Sequence, residues 1–269
     1  MIKKINYIRV IFYCIIALFS ANIHALGSAK NVPSRNKYFT GRTAYLDNIK
    51  RNLLKYSKVY LTGYGGIGKT QLAKEFSYIH EKDYDLIWWF DLRSNLEVQY
   101  ENLLTHLSND KRFKGLLHVK IKDIAPSVFI DFTNSLLSKY KGNWLLLFDN
   151  LPNNQNIKLP KTRVTGQHVI VTTREKQTSG NNILTIEPFT NKEAEQFLLK
   201  IHPKEKKEEI VKLYKILHGY PLALAQISKE ILLYDDGVDS YLKRHDTSLS
   251  TNLLRINSDV TQKYNRDFK

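Results

Sequence analysis

The stretch Gly63-Tyr64-Gly65-Gly66-Ile67-Gly68-Lys69-Thr70 decides how this chain is read. It fits G-x-x-x-x-G-K-[ST], a pattern whose parts have separate physical jobs. Gly63 and Gly68 let the backbone turn tightly enough to aim successive N–H groups at one point, and a helix starting near Lys69 adds the positive end of its dipole. Lys69 is spaced to reach β- and γ-phosphates, and the Thr70 hydroxyl to take one position on Mg²⁺. Gly65, Gly66, Ile67 and Gln71 complete the candidate nucleotide-binding loop. An apolar run at 59–62 precedes the loop and an amphipathic segment at 71–80 follows it, which is the strand, loop and helix that such a cradle requires.

Working outward, Leu145-Leu146-Leu147-Phe148 reads as a strand that delivers Asp149 to its carboxyl end, where ligands sit in open α/β sheets. Asp149 is thereby the candidate partner of Thr70 on Mg²⁺ and a candidate catalytic residue. Val169-Ile170-Val171 runs into Thr172-Thr173-Arg174, and the Arg174 guanidinium is suited to a two-pronged contact with a terminal phosphate, which makes it a candidate nucleotide-binding residue and a second candidate catalytic residue. Further strands are expected at 85–92 and 183–186, and helices at 43–56, 95–107 and 128–140, with a basic, less regular stretch between the last two. Strands alternating with helices at this spacing predict a five-stranded parallel sheet covered on both faces, a three-layer α/β sandwich over residues 38–188. From Asn191 only helical periodicity remains, at 193–201, 205–217, 222–234 and near Ser240. A small all-helical domain is therefore expected over 189–250, and 251–269 forms a tail. Pro221 falls in the first turn of one of these helices, where a proline is tolerated.

The 269 residues suffice for one large domain or two small ones. Hydrophobic residues make up 42%, which argues against a mainly disordered chain. A single cysteine, Cys14, forbids an intrachain disulfide or a cysteine metal cage, and none of the eight histidines falls in an H-E-x-x-H spacing. The net charge of +15 is spread along the chain. Without a stripe or a reading motif, a solvated lysine-rich surface ranks above a nucleic-acid interface.

Lys3, Lys4 and Arg9 precede an apolar run at 10–19, and small residues end at Ala25. This is the three-part pattern of a secretory signal, so 1–25 is expected to be a signal peptide or a membrane anchor, the only membrane contact foreseen, with 26–37 as a linker. Export sits in tension with an ATP site. A misplaced start would leave the domain cytoplasmic.

Together these blocks resemble, in order, the NB-ARC division of the STAND signalling ATPases, which includes plant disease-resistance proteins, animal apoptosome proteins and bacterial regulators. Phe39-Thr40-Gly41-Arg42 resembles the family's opening motif near the adenine, which implies a nucleotide contact for Arg42. The segment 63–70 matches its phosphate loop, 144–149 its second acidic motif and 172–174 its γ-phosphate sensor. Gly219-Tyr220-Pro221-Leu222-Ala223-Leu224 is similar to the family's G-L-P-L-A-L signature, whose proline packs against the nucleotide, a role that would fall to Pro221. The resemblance implies ADP or ATP with Mg²⁺ as ligands, and protein partners or self-association as output. Two departures stand out. Where the family usually has a second acidic residue beside the magnesium-binding Asp, this chain has Asn150, and an amide cannot accept a proton from water. Hydrolysis is therefore expected to be slow or absent. The chain also stops at Lys269, short of the family's winged-helix domain and sensor repeats, so it is expected to be a truncated member.

Overall fold

The computed structural model describes residues 29–116, 120–153, 157–162, 165–174, 180–234 and 237–245 of the chain. The expected signal or anchor segment and the expected tail lie outside the described residues.

The strands are β1 (Ala29–Lys30), β2 (Lys58–Thr62), β3 (Leu86–Asp91), β4 (Trp144–Leu151), β5 (Gln167–Thr173) and β6 (Ile183–Thr185). They pair in parallel in the order β1-β3-β4-β5-β2-β6. The five expected strands are all present. The sixth, β1, corrects the reading of 26–37 as a plain linker: two of its residues extend the sheet edge, Ala29 opposite Leu86 and Lys30 opposite Ile87. Beyond it, the Asn31 side chain continues the pairing by accepting from the Trp89 N–H at 2.6 Å and donating to its carbonyl at 3.1 Å. Arg35 then grips the buried Glu75 with two bonds, at 2.7 and 3.0 Å. No turn or apolar signal marks such side-chain tethers in a polar stretch.

The helices are α1 (Thr43–Tyr56), α2 (Lys69–Ile79), α3 (Leu96–Asn109), α4 (Lys111–Lys114), α5 (Phe129–Lys139), α6 (Asn191–Ile201), α7 (Lys207–Leu217), α8 (Pro221–Tyr234) and α9 (Val238–His245). Their limits follow local chemistry. Asn95 and Asp110 cap α3 and α4 through side-chain oxygens. Thr190 and Glu193 form a reciprocal capping box on α6.

Strand alternation divides the interior into two cores. Val59, Leu61, Ile87, Trp89, Leu145, Leu147 and Ile170 face α1 and α2. Leu86, Trp88, Phe90, Trp144, Leu146, Phe148, Val169 and Val171 face α3 and α5. Residues buried on both faces are what a covered parallel sheet demands, hence the near-continuous apolar runs. The first core continues without a break into the C-terminal helices through Ala194, Leu198, Leu213, Leu224 and Ile231. The loop between β2 and α2 is thus held from both sides, by the sheet and by the helical bundle.

Candidate nucleotide-binding site

The backbone of the glycine loop takes the conformations that only glycine adopts cheaply. Gly63, Gly66 and Gly68 have φ of 135°, 77° and 103°. A Cβ on Gly63 would lie 2.8 Å from the Ile186 carbonyl, and one on Gly66 would lie 2.8 Å from Leu222 Cδ2 at the start of α8. Gly68 caps α2, so Lys69 and Thr70 occupy its first turn and their N–H groups remain outside the helical ladder.

Lys69 is buried and turned back on its own loop, donating to the carbonyls of Gly63 at 2.7 Å and Tyr64 at 2.8 Å. Burial and the nearby Arg174 guanidinium lower its pKa to about 8, against the opposing pull of Asp149. An ammonium held this way lacks a full negative counter-charge, and phosphate oxygens would supply one.

Asp149 stands two strands from the loop, with β5 between β4 and β2. The gap of about 10 Å is bridged by hydroxyls. Thr70 Oγ1 at the head of α2 donates to Asp149 Oδ1 at 2.8 Å, and Thr172 Oγ1 at the end of β5 donates to the same oxygen at 2.6 Å. The Asn150 amide donates to Asp149 Oδ2 at 2.7 Å, and the Asn150 N–H donates to Thr172 Oγ1 at 2.9 Å. The pairing of β4 with β5 slips between Phe148 and Leu151, where Asn150 adopts φ 65°, a left-handed state that Asn tolerates better than most residues. The slip aims Asp149 at the helix start.

Lys69, Thr70, Asn150, Thr172 and Arg174 border one cavity of about 730 Å³. Of the residues expected from the sequence, Arg42, Gly65, Gly66, Ile67, Gly68, Lys69, Thr70, Gln71, Arg174 and Pro221 all line it. Gly63 and Asp149 do not, but each is hydrogen-bonded to a residue that does, Gly63 to Lys69 and Asp149 to Thr70. Arg42 is 5% exposed and adopts φ 63° as the cap of α1. Its guanidinium lies 4.5 Å from the Phe189 ring centre and 5.2 Å from that of Tyr45, and Nη1 reaches Glu193 Oε2 at 3.8 Å. Burial, ahead of the opposing attraction of Glu193, holds its pKa below the ordinary value.

Two buried polar atoms among the described residues have no hydrogen-bond partner and belong to this lining: Arg42 Nη2 and Gln71 Oε1. A bound group carrying both acceptors and donors would satisfy them. Magnesium fits a narrower description. Among the described residues no group of three or more His, Cys, Asp or Glu could hold a metal. The ion would therefore rely on Thr70 and Asp149, with water and phosphate oxygens completing its shell, as this reluctantly dehydrated cation prefers.

Sequence reasoning missed several lining residues. Asn36 and Tyr38 belong to the stretch that ties down the N-terminal edge, Phe189 and Phe197 come from the helical side, and Arg93 follows β3. Arg93 alone had a usable signal, since it lies two residues beyond a strand-ending Asp at the same sheet edge as Asp149. Its fork grips Asp91, raising its own pKa and holding that of Asp91 below the carboxylate norm.

No curated protein matches the sequence. A STAND protein with a tetratricopeptide repeat sensor from Pyrococcus horikoshii, PH0952, is similar with 23% identity and a TM-score of 0.54 over 72% of this chain. The aligned part is only 30% of that protein's length. The Walker-type ATPase PABY2304 of Pyrococcus abyssi has 14% identity and a TM-score of 0.57, covering 88% of this chain and 79% of its own. Both likenesses show the P-loop ATPase fold. The NB-ARC domain profile matches residues 42–201, more than half of the chain, from the buried arginine that caps α1 to the end of α6. The chain belongs to the NB-ARC domain family.

Proposed function

We propose that this chain is an ADP- or ATP-binding switch module whose helical part reads the state of the nucleotide. The observation that carries the reading is the double wall of the cavity. On one side are Lys69, Thr70 and Arg174, at the carboxyl edge of the sheet. On the other are Pro221, Leu222 and Ala225 of α8, with Leu222 against Gly66. A nucleotide in this space touches both parts. Its phosphate tail lies with the glycine loop and Lys69, with Mg²⁺ held by Thr70 and Asp149, and the apolar Phe39, Phe189 and Phe197 offer its base a surface.

Differential contact is what a ligand needs to shift a conformational equilibrium. Arg174 is exposed in the cavity lining and close enough to Lys69 to act on it, suited to feel whether a terminal phosphate is present. The resulting movement of α8 against the loop would alter contacts with protein partners or a second copy. With Asn150 beside Asp149, turnover is slow, so the module holds a state rather than cycling rapidly.

The test is the nucleotide that co-purifies with the chain, identified by mass spectrometry, and the loss of ADP binding in Lys69→Ala by calorimetry. ADP or ATP in the wild type and none in the variant is the expected result. A Lys69→Ala protein that binds ADP as well as wild type overturns the assignment.

A further inference from the structure

Asn150 takes the carboxylate away from the position beside Asp149, yet another carboxylate stands one strand over. Asp91 ends β3 and is the in-register partner of Asp149. Adjacent strands lie about 4.8 Å apart. Ile87 and Trp89 share a core with Leu145 and Leu147, so alternation brings Asp91 and Asp149 out on the same face, that of the loop helix α2.

Asp91 is held as part of a built arrangement. Gln99 of α3 fixes its main chain, accepting from the Asp91 N–H at 2.8 Å and donating to its carbonyl at 2.9 Å. The Asn150 amide, next to Asp149 in the chain, donates to Asp149 Oδ2 at 2.7 Å, so the Asp149 carboxylate is held in place beside its in-register partner Asp91. On the outer side Arg93 donates from Nε to Asp91 Oδ1 at 2.9 Å and from Nη2 to Oδ2 at 2.7 Å. Arg93 is largely exposed, 71% by side chain, and with Asn150 it lines the cavity. Asp91 itself is outside the lining, with its partner Arg93 and the neighbouring Asn150 at the cavity wall.

We infer that Asp91 is the catalytic carboxylate of this site, with Arg93 as a counter-ion that leaves it for the terminal phosphate of ATP. This rests on the nucleotide-binding reading above. Arg93 exchanges one planar pair of oxygens for another, which its fork geometry allows. In the step itself, a lone pair of the water oxygen forms the bond to the γ-phosphorus. The bond from that phosphorus to the β–γ bridging oxygen breaks, its electron pair leaving on ADP, and the proton of the attacking water passes to a carboxylate oxygen of Asp91. Asn150 holds the Asp149 carboxylate and takes no proton. ADP lacks the terminal phosphate, so after release of inorganic phosphate Arg93 returns to Asp91.

The experiment uses the full chain, with single-turnover hydrolysis of ATP at excess protein and calorimetry for ATP and ADP. Asp91→Asn, which keeps the turn at this position, is expected to slow turnover about a hundredfold while ADP affinity stays within about threefold. Asn150→Asp introduced into that variant restores most of the rate, which a merely structural role for Asp91 does not foresee. Arg93→Ala weakens ATP relative to ADP by about tenfold. The inference is overturned if the wild type shows no turnover, if Asp91→Asn turns over at the wild-type rate, or if the restored carboxylate at 150 leaves the rate unchanged. Intact nucleotide binding in any of these cases leaves the switch reading standing; a wild type that binds neither nucleotide removes both.

Discussion

His168 and Lys69 are both cationic side chains that burial drives toward the neutral form. For Lys69 the loss is reversible by a ligand, since phosphate oxygens beside it would restore the charged state. His168 has no such partner. It sits 6% exposed near the start of β5, its Nδ1 2.8 Å from the Tyr84 hydroxyl, and burial lowers its pKa from 6.5 to about 4. An unfolded chain takes up a proton here below pH 6.5, whereas the folded one resists until about pH 4. The stability tied to this residue is therefore complete above pH 6.5 and drains away as pH falls toward 4, by an amount on the order of 3 kcal/mol. His168→Gln is expected to remove that dependence. Urea midpoints at pH 7 and pH 4.5 should draw closer together in the variant than in wild type, and an unchanged gap would refute the account.

At the scale of elements, the N-terminus of α6 does more than start a helix. Glu193 completes the capping box through Oε2, which accepts from the Thr190 N–H at 2.9 Å, and its Oε1 accepts from the Arg42 N–H at 3.0 Å. Its side chain also fills the space beside Gly41, where a Cβ would lie 2.9 Å from Glu193 Cγ. One carboxylate thus joins the helical part to the left-handed turn that precedes α1. Thr190→Ala should cost about 1 kcal/mol, the usual worth of a cap. Glu193→Ala should cost about 2 to 3 kcal/mol, because it also strips Arg42 of its anionic partner. It should weaken ADP binding as well, which Thr190→Ala does not. Thermal denaturation with and without ADP separates the two; equal effects would mean that the contact with Arg42 is inconsequential.

Over the whole molecule, the core on the loop-helix side runs from the sheet into α6, α7, α8 and α9 without interruption. Continuity of apolar packing predicts cooperative unfolding, even though the chain divides visually into an α/β part and a bundle. All three tryptophans, Trp88, Trp89 and Trp144, lie in the sheet, so fluorescence reports the sheet while far-UV circular dichroism is dominated by helices. The two signals should fall together in urea. Leu224→Ala, at a fully buried position of α8, should lower both midpoints by the equivalent of about 2 to 5 kcal/mol. A fluorescence transition that ignores this substitution would show that the bundle folds by itself.

Local rules determined the elements. Apolar runs, helical spacing and the glycine pattern are properties of neighbouring residues, so α1 could be bounded to the residue and β2 to within one. They also singled out Lys69, Thr70, Asp149 and Arg174, because each stands at the end of a strand or the start of a helix. Contacts between residues far apart in sequence are a different matter. That Thr172 shares an oxygen of Asp149 with Thr70, that residues 29–35 clasp the sheet edge and α2, and that Asp91 stands in register with Asp149 all depend on strand order and register. Those are settled by the packing of helices on both faces of the sheet, and no window of sequence contains that information.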